Sequence, residues 1–243
     1  MVRYQKKTFT LVFYCIFILI FTLISLLFVF LGGEYRQSDW VSSSSVSAPP
    51  TVIIDAGHGG EDGGAVGVNG CFEKDINFSM AKKLKTLLSS MGLNCILTRS
   101  DDTLLYDRNA DFEGRKKSLD MKARLDIANS YENAVFISIH QNSFPIEKYS
   151  GAQIYYSPNN SFSNTLAEEI ENAIRKSLQQ NNNRTSKPSD GRIYLLDELC
   201  CPAVLIECGF LSNTDECDLL CTEEYQNHLC AVIASEVARQ LLN

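Results

Sequence analysis

Apolar residues after position 50 form short runs that alternate with stretches of helical spacing. The first run, residues 51–55, is rich in β-branched residues and ends in a Gly-rich loop, which is typical of a buried strand. Five later runs of four to six residues are similar in apolar character. The predicted strands are residues 51–55, 93–98, 134–139, 152–156, 193–196 and 203–206.

Between these runs, apolar residues recur three and four positions apart, which is the spacing of one helix face. Four segments have this spacing. The second begins at Ser118, which is a suitable N-cap, and the fourth begins at Thr222. The predicted apolar stripes are Ile76, Met80, Leu84, Leu87, Leu88 and Met91; Leu119, Ala123 and Ile127; Leu166, Ile170, Ala173, Ile174 and Leu178; and Tyr225, Leu229, Val232, Ile233, Val237 and Leu241.

Strands that alternate with helices predict an α/β fold, a mostly parallel twisted sheet with helices on both faces. In sheets of this kind, ligands bind beyond the carboxyl ends of the strands. The residues that directly follow each predicted strand are therefore the first place to look for chemistry.

The N-terminal segment has a different pattern and predicts a membrane anchor in front of one catalytic domain. Residues 1–7 are basic, residues 8–33 form an uncharged apolar run long enough to span a bilayer, and residues 34–50 are rich in Ser and Pro. The basic residues before the apolar run predict a cytoplasmic tail. The transmembrane signal anchor would therefore place residues 51–243 outside the cytoplasm, at the cell envelope or in the forespore intermembrane space. A long cleaved signal peptide is the alternative.

Charge and cysteine content narrow the class of protein. The chain has a net charge of −7, and the excess of acidic residues lies after the linker. An acidic domain gains nothing from binding a phosphate backbone, so nucleic acid is not an expected partner. Eight of the nine cysteines follow the apolar run, and the sequence leaves open whether they form disulfides or stay free thiols. Cys217, Cys221, His228 and Cys230 are a weak candidate set for a structural zinc site.

Metal-ligand residue types follow three of the predicted strands. His58 lies in a Gly-rich loop after the first strand, His140 ends the third, and Glu207 follows the strand at 203–206. Hydrolytic zinc sites commonly use two His and one carboxylate, with water in the fourth position. Glu73, which begins the first long helix, is the best candidate for the carboxylate. The Gly-rich loop matches neither a dinucleotide fingerprint nor a P-loop.

These motifs, taken together, resemble the zinc-dependent N-acetylmuramoyl-L-alanine amidases. The resemblance rests on residues 55–60 (DAGHGG), Glu73, residues 138–142 (SIHQN) and residues 207–213 (ECGFLSN), and it runs from about residue 52 to residue 241. A single domain behind an anchor is most similar to the germination-specific amidases of the spore cortex. Ala56 and Gln141 depart from the family pattern without removing a ligand, and Gln141 is expected to alter the fit of the substrate.

The resemblance implies that His58, Glu73 and His140 bind Zn²⁺ and that Glu207 is the catalytic base. The implied substrate is peptidoglycan, cut between the lactyl group of N-acetylmuramic acid and L-alanine of the stem peptide. Arg124 and Asn142 are candidate substrate contacts, although Arg124 has an equal alternative as a partner of a helix neighbour such as Asp120.

Two rival functions remain open from the sequence. A zinc peptidase that cuts within the stem peptide would use similar ligands. A non-catalytic wall-binding scaffold would be expected to have lost a ligand or Glu207, and the sequence retains them all. A single-domain amidase without a wall-binding module is also a candidate for an activating protein partner.

Overall fold

The computed structural model describes residues 16–27, 49–109 and 113–242. The chain divides into two compact units, Met1–Ser47 and Ala48–Asn243. Within the first unit, residues 16–27 form helix α1. No helix among the described residues is both long and apolar enough to cross a membrane. The predicted basic tail 1–7, both ends of the predicted span 8–33 and residues 34–48 of the predicted linker lie outside the described residues.

The second unit is built on a six-stranded sheet in the order β2-β1-β3-β6-β4-β5. Every neighbouring pair is parallel except β4 and β6. The mostly parallel sheet predicted from the sequence is thus confirmed. The strands are β1 Thr51–Ala56, β2 Cys95–Leu97, β3 Ala134–Asn142, β4 Gln153–Tyr156, β5 Lys187–Pro188 and β6 Ala203–Phe210.

Helices cover both faces of this sheet, as the alternating pattern predicts. On one face α2, α4 and α7 pack together over Ile54, Ile137 and Ile206. On the other face α3 and α5 cover Ile53 and Phe136. The helices of this unit are α2 Glu73–Ser90, α3 Lys116–Asn129, α4 Ser161–Ser177, α5 Tyr194–Glu198, α6 Thr214–Leu220 and α7 Glu223–Leu242.

Two local predictions are wrong. Residues 193–196, predicted as a strand, belong largely to the short helix α5. An apolar run of four residues suits either element, and here packing against the sheet face selects the helix. In α3 the buried residues are Asp120, Arg124 and Ala128, one position beyond the predicted stripe. Asp120 and Arg124, which are polar, occupy the inner face of this helix. The spacing of the apolar residues therefore predicts the wrong buried face.

Packing of α2 against the larger core should dominate the stability of this unit. Leu84 is fully buried on α2, whereas Leu219 on α6 is 47% exposed. We expect Leu84→Ala to lower the free energy of unfolding by about 2–5 kcal/mol, because it leaves a cavity. Leu219→Ala, the matched control, should change it by less than about 0.5 kcal/mol. Urea denaturation of the full chain measures both, and equal losses would contradict this packing.

Candidate metal centre

The three central strands bring the candidate residues to one edge of the sheet. Strands β1 and β3 run side by side in register up to Ala56 and Ile139, and His140 on β3 is paired with Glu207 on β6. His58 follows β1 by two residues. The carboxyl ends of parallel strands meet, so the sheet itself places both histidines and Glu207 together.

The Glu73 carboxylate lies between the two imidazole rings. Its Oε2 is 3.2 Å from Nε2 of His58, and its Oε1 is 2.9 Å from Nδ1 of His140. One ligand atom from each of the three residues lies within 4.8 Å of the other two. The four predicted site residues His58, Glu73, His140 and Glu207 are therefore brought to one place.

Several neighbours hold the Glu73 carboxylate in position. The backbone N–H of Ala65 donates to Oε2, while the backbone N–H of Gln141 and the side-chain amide of Asn77 donate to Oε1. Burial alone would raise the pKa of Glu73, but hydrogen bonds from His140 and His58 outweigh it and hold that pKa well below its usual range. The group is thus a fixed anion at the centre of the site.

His58 has an unusual backbone conformation and a second acidic neighbour. Its φ is 63°, in the left-handed region that non-glycine residues rarely adopt. Nδ1 of His58 lies 2.9 Å from Oδ2 of Asp62, a close contact without the alignment of a full hydrogen bond. Burial lowers the pKa of His58, and Glu73 and Asp62 more than offset it, so the pKa is raised. Both carboxylates favour a cation at this position.

Close packing between loop and strand fixes the second ring. A Cβ at position 57 would overlap the imidazole of His140, so only glycine leaves space for that ring. The rings of His58 and His140 meet edge to face, with centroids 5.0 Å apart. Gly57 therefore allows the loop after β1 to pass directly over the ring at the end of β3.

Arg124 supports this loop from below. Its Nε and Nη2 donate to Asp120, its Nη1 donates to Asp55 and to the carbonyl of Ala56, and its Nη2 also reaches the carbonyl of His58. All five N–H donors of the guanidinium are thus used within the protein. The residues on either side of Gly57 are held by one buried side chain.

Asp55 completes the network beneath the site. It accepts hydrogen bonds from Thr98 and Ser138 as well as from Arg124. Burial would raise the pKa of Asp55, but the Arg124 charge and these hydrogen bonds lower it to about 2. Asp55 is therefore ionised and paired, as the carboxylate in a stable buried ion pair must be.

The residues predicted to contact substrate have different positions. Arg124 is 2% exposed and paired with Asp120 and Asp55, so the structure favours the helix-neighbour alternative over the substrate contact. Asn142 is half-buried beyond a register shift on β3, and its carbonyl accepts a bond from Leu211. Gln141 is buried and its side-chain amide donates to Asn77, and its effect on the fit of a substrate stays a prediction.

Glu207 places a carboxylate beside the candidate metal ligands. Its side chain is half-buried, and its Oε2 is shielded from solvent with no hydrogen-bond partner in the described part of the chain. Burial is the main cause that raises the pKa of Glu207 to about 7; the negative charge of Glu73 adds to it, while the histidines oppose it. A carboxylate with a pKa near neutrality is suited to accept and return a proton.

An open cavity of about 180 Å³ extends from the two histidines along the α3 side of the sheet. Apolar side chains from the core between α3 and α5 form its floor, and charged groups stand at its rim. Its lining includes His58, His140, Met121, Phe136, Arg192 and Tyr194. Mostly apolar clefts with a few convergent polar groups are the usual form of a ligand site.

The remaining candidates do not join this site. His228 is exposed on α7, and Cys208 is fully buried, as expected for a packing residue. The weak candidate zinc set is not assembled as predicted. Cys230 is in the core, where its Sγ donates to the carbonyl of Met80, while Cys217 and Cys221 lie beside Cys71 instead.

The comparisons with known proteins identify the family. A family profile described as N-acetylmuramoyl-L-alanine amidase matches residues 52–239. The chain belongs to this family. The prediction of the family and of its amidase function is thereby confirmed.

Individual relatives cover most of the chain. It is 35% identical over 216 residues to the germination-specific N-acetylmuramoyl-L-alanine amidase of Bacillus subtilis, with 89% of this chain and 90% of the relative covered. Among solved structures, it matches the CwlD amidase of Clostridioides difficile, determined in complex with the GerS lipoprotein, at 40% identity and a TM-score of 0.74, covering 79% and 98% of the two chains. The amidase AmiC2 of Nostoc punctiforme matches at 29% identity and a TM-score of 0.69, covering 80% and 98%.

Sequence reasoning missed the residues that support this amidase site. Asp62, Asn77 and Asp55 orient the ligands or the loop, and none of them stands out by residue type. Asn77 carries a usable signal, since it follows Glu73 by one helical turn and so projects from the same face. Asp55 has another, because a charge at the end of a buried apolar strand needs a partner.

A substitution of Arg124 separates its structural role from a substrate role. We expect Arg124→Gln to lower the free energy of unfolding by about 3–5 kcal/mol, because Asp55 loses its buried partner. Arg192→Gln, at an exposed arginine on the cavity rim, is the matched control and should leave stability unchanged. Chemical denaturation measures both variants. A stable Arg124→Gln variant with only a raised KM would restore the substrate role.

Proposed function

We propose that this amidase depends on zinc and hydrolyses peptidoglycan at the bond between the lactyl group of N-acetylmuramic acid and L-alanine. One observation carries the proposal: a single buried carboxylate lies between two imidazoles, and an unpartnered carboxylate stands beside them. Amide hydrolysis by a metal requires both a ligand set and a separate base.

The donor set of His58, Glu73 and His140 fits a zinc ion. Two imidazole nitrogens and one carboxylate oxygen are ligands that zinc prefers in hydrolases, and these atoms already converge from three elements of the fold. When bound there, Zn²⁺ supplies a Lewis acid that acidifies water and polarises the scissile carbonyl. Asp62 beside Nδ1 of His58 and Asn77 beside Glu73 would orient the ligands, as outer partners do in metal sites.

Glu207 would move the proton in this reaction. Its carboxylate would accept a proton from the attacking water as the amide carbonyl is attacked, and would then return that proton to the departing nitrogen of L-alanine. The raised pKa allows both steps near neutral pH. Since β6 places Glu207 opposite His140, the base stays on the same edge of the sheet as the ligands.

The cavity beside the histidines gives the substrate a place to lie. Its apolar floor and the exposed Arg192 at its rim suit a chain that carries both methyl groups and carboxylates. Peptidoglycan stem peptides have both. We place the stem peptide along this cavity, with the scissile amide above His58 and His140.

The cellular role and partner are proposed from the relatives. The Bacillus subtilis relative is described as germination-specific, so we propose spore cortex as the wall that this chain cuts. The Clostridioides difficile relative was determined with a lipoprotein, which supports a requirement for a protein partner here. Such a setting also agrees with an apolar N-terminal anchor and a catalytic unit outside the cytoplasm.

Product analysis tests the proposed bond. The full-length chain, purified in detergent and loaded with zinc, is incubated with purified spore peptidoglycan, and the released material is analysed by mass spectrometry. We expect peptides with a free L-alanine amino terminus, and we expect them to disappear when a chelator removes the metal. Cleavage inside the stem peptide would mean a zinc peptidase, and binding without cleavage would mean a scaffold.

The base is tested by matched carboxylate substitutions. We expect Glu207→Gln to keep its zinc and to lose about 10²–10⁴-fold in kcat, because proton transfer is removed. Glu171→Gln is the control, since Glu171 is also buried with a pKa raised to about 7 but lies on α4. Turnover and metal content are measured for both. A Glu207→Gln variant with full turnover would remove this residue from the reaction.

A further inference from the structure

Three cysteine thiols converge on the surface between the loop that precedes Glu73 and helix α6. One thiol comes from Cys71 in the loop, and the other two, Cys217 and Cys221, lie one helical turn apart at the end of α6. Their Sγ atoms all lie within 4.8 Å of one another. Cys217 is fully buried, Cys71 is half-buried and Cys221 is exposed.

We propose that Cys71, Cys217 and Cys221 form a second metal site, which binds a thiophilic d¹⁰ cation such as Zn²⁺ through three thiolates. Soft thiolate ligands select such ions. Binding converts the three thiols to thiolates and releases their protons to solvent.

The spacing of the sulfur atoms fits this coordination. Sγ of Cys71 and Sγ of Cys217 are 3.7 Å apart. Zinc–sulfur bonds of about 2.3 Å in a tetrahedron place neighbouring sulfurs about 3.8 Å apart. The observed separation therefore matches one edge of a zinc–thiolate tetrahedron. A disulfide would use only two of the three thiols and leaves the convergence of the third unexplained.

The conformation of the loop places the thiol of Cys71 against α6. A Cβ at position 67 would lie 2.6 Å from Sγ of Cys71 and 2.7 Å from Sγ of Cys217, so glycine is needed where the loop passes over the pair. The Asn69 side chain accepts a bond from the N–H of Cys71, and its amide donates to Sγ of Cys221 at 3.6 Å and to Asp218 at 3.1 Å. Asn69 thus joins loop and helix on the outer side of the thiols.

An ion at this place would fasten the loop that leads into the metal centre. The loop, residues 66–72, is closed by pairing of Val66 with Phe72 and by a bond from the N–H of Gly67 to the carbonyl of Cys71. Glu73 follows directly. The site is distinct from the proposed amidase centre, because its ligands are three sulfur atoms from other residues. Metal binding to these thiols can be observed without turnover.

Cobalt binding tests the site. The reduced, metal-free, full-length chain in detergent is titrated anaerobically with Co²⁺, and thiolate-to-cobalt charge-transfer absorption is recorded in the near ultraviolet. We expect two Co²⁺ per chain and a charge-transfer band, to which the histidine–carboxylate centre adds nothing because it lacks sulfur. Cys221→Ser, at an exposed position, should bind one Co²⁺ and lose the band without a change in thermal unfolding.

Two further variants control this result. Cys200→Ser, at an exposed cysteine outside the cluster, should keep both ions and the band. His140→Ala should keep the band and lose the other ion. One ion per wild-type chain without a charge-transfer band would overturn the proposal, as would a band that persists in Cys221→Ser. A chain purified without reductant that is lighter by two hydrogens and binds no ion at these thiols would show a disulfide instead.

Discussion

The buried ion pair between Asp55 and Arg124 is the interaction on which the candidate metal centre depends. Asp55 ends the first strand, and Arg124 reaches from α3 to bind it together with the backbone carbonyls before and after Gly57. The turn after β1 can then hold His58 at a φ that a free chain would avoid. A buried charge pair of this kind contributes little net stability by itself, yet the loss of one partner is costly. The same network therefore holds the site in place, and the loss of either partner would destabilise it.

A second constraint is electrostatic. Glu73 is an anion kept between two imidazoles, and Asp62 adds another negative charge behind His58. This arrangement attracts a cation at one place, while Oε2 of Glu207, paired across the sheet with His140, has no hydrogen-bond partner among the residues that the structure describes. The two carboxylates thus differ in pKa because of their surroundings: the pKa of Glu73 is lowered by imidazole contacts, and that of Glu207 is raised mainly by burial. Such a difference in pKa suits the proposed roles of Glu73 as a ligand and of Glu207 as a base.

The sequence predicts the sheet, the helices and the four central residues because each depends on a local pattern. His58 follows the first strand, His140 lies near the end of the third, and Glu73 opens a helix. The residues that pattern analysis misplaced depend on tertiary contacts. The inner face of α3 is polar because Arg124 must reach Asp55, and the short run at 193–196 becomes helical through packing. Likewise, Cys71 and Cys217 are far apart in the chain, so their contact follows only from the path of the loop.

Anomalous diffraction at the zinc absorption edge, from crystals of the chain grown with zinc, tests the central claim most directly. We expect a peak about 2.0–2.2 Å from Nε2 of His58, Nδ1 of His140 and a carboxylate oxygen of Glu73. Glu207 should lie next to that peak without binding it. A fully folded chain with no peak between these three side chains, or with Glu207 as a ligand in place of Glu73, would contradict it.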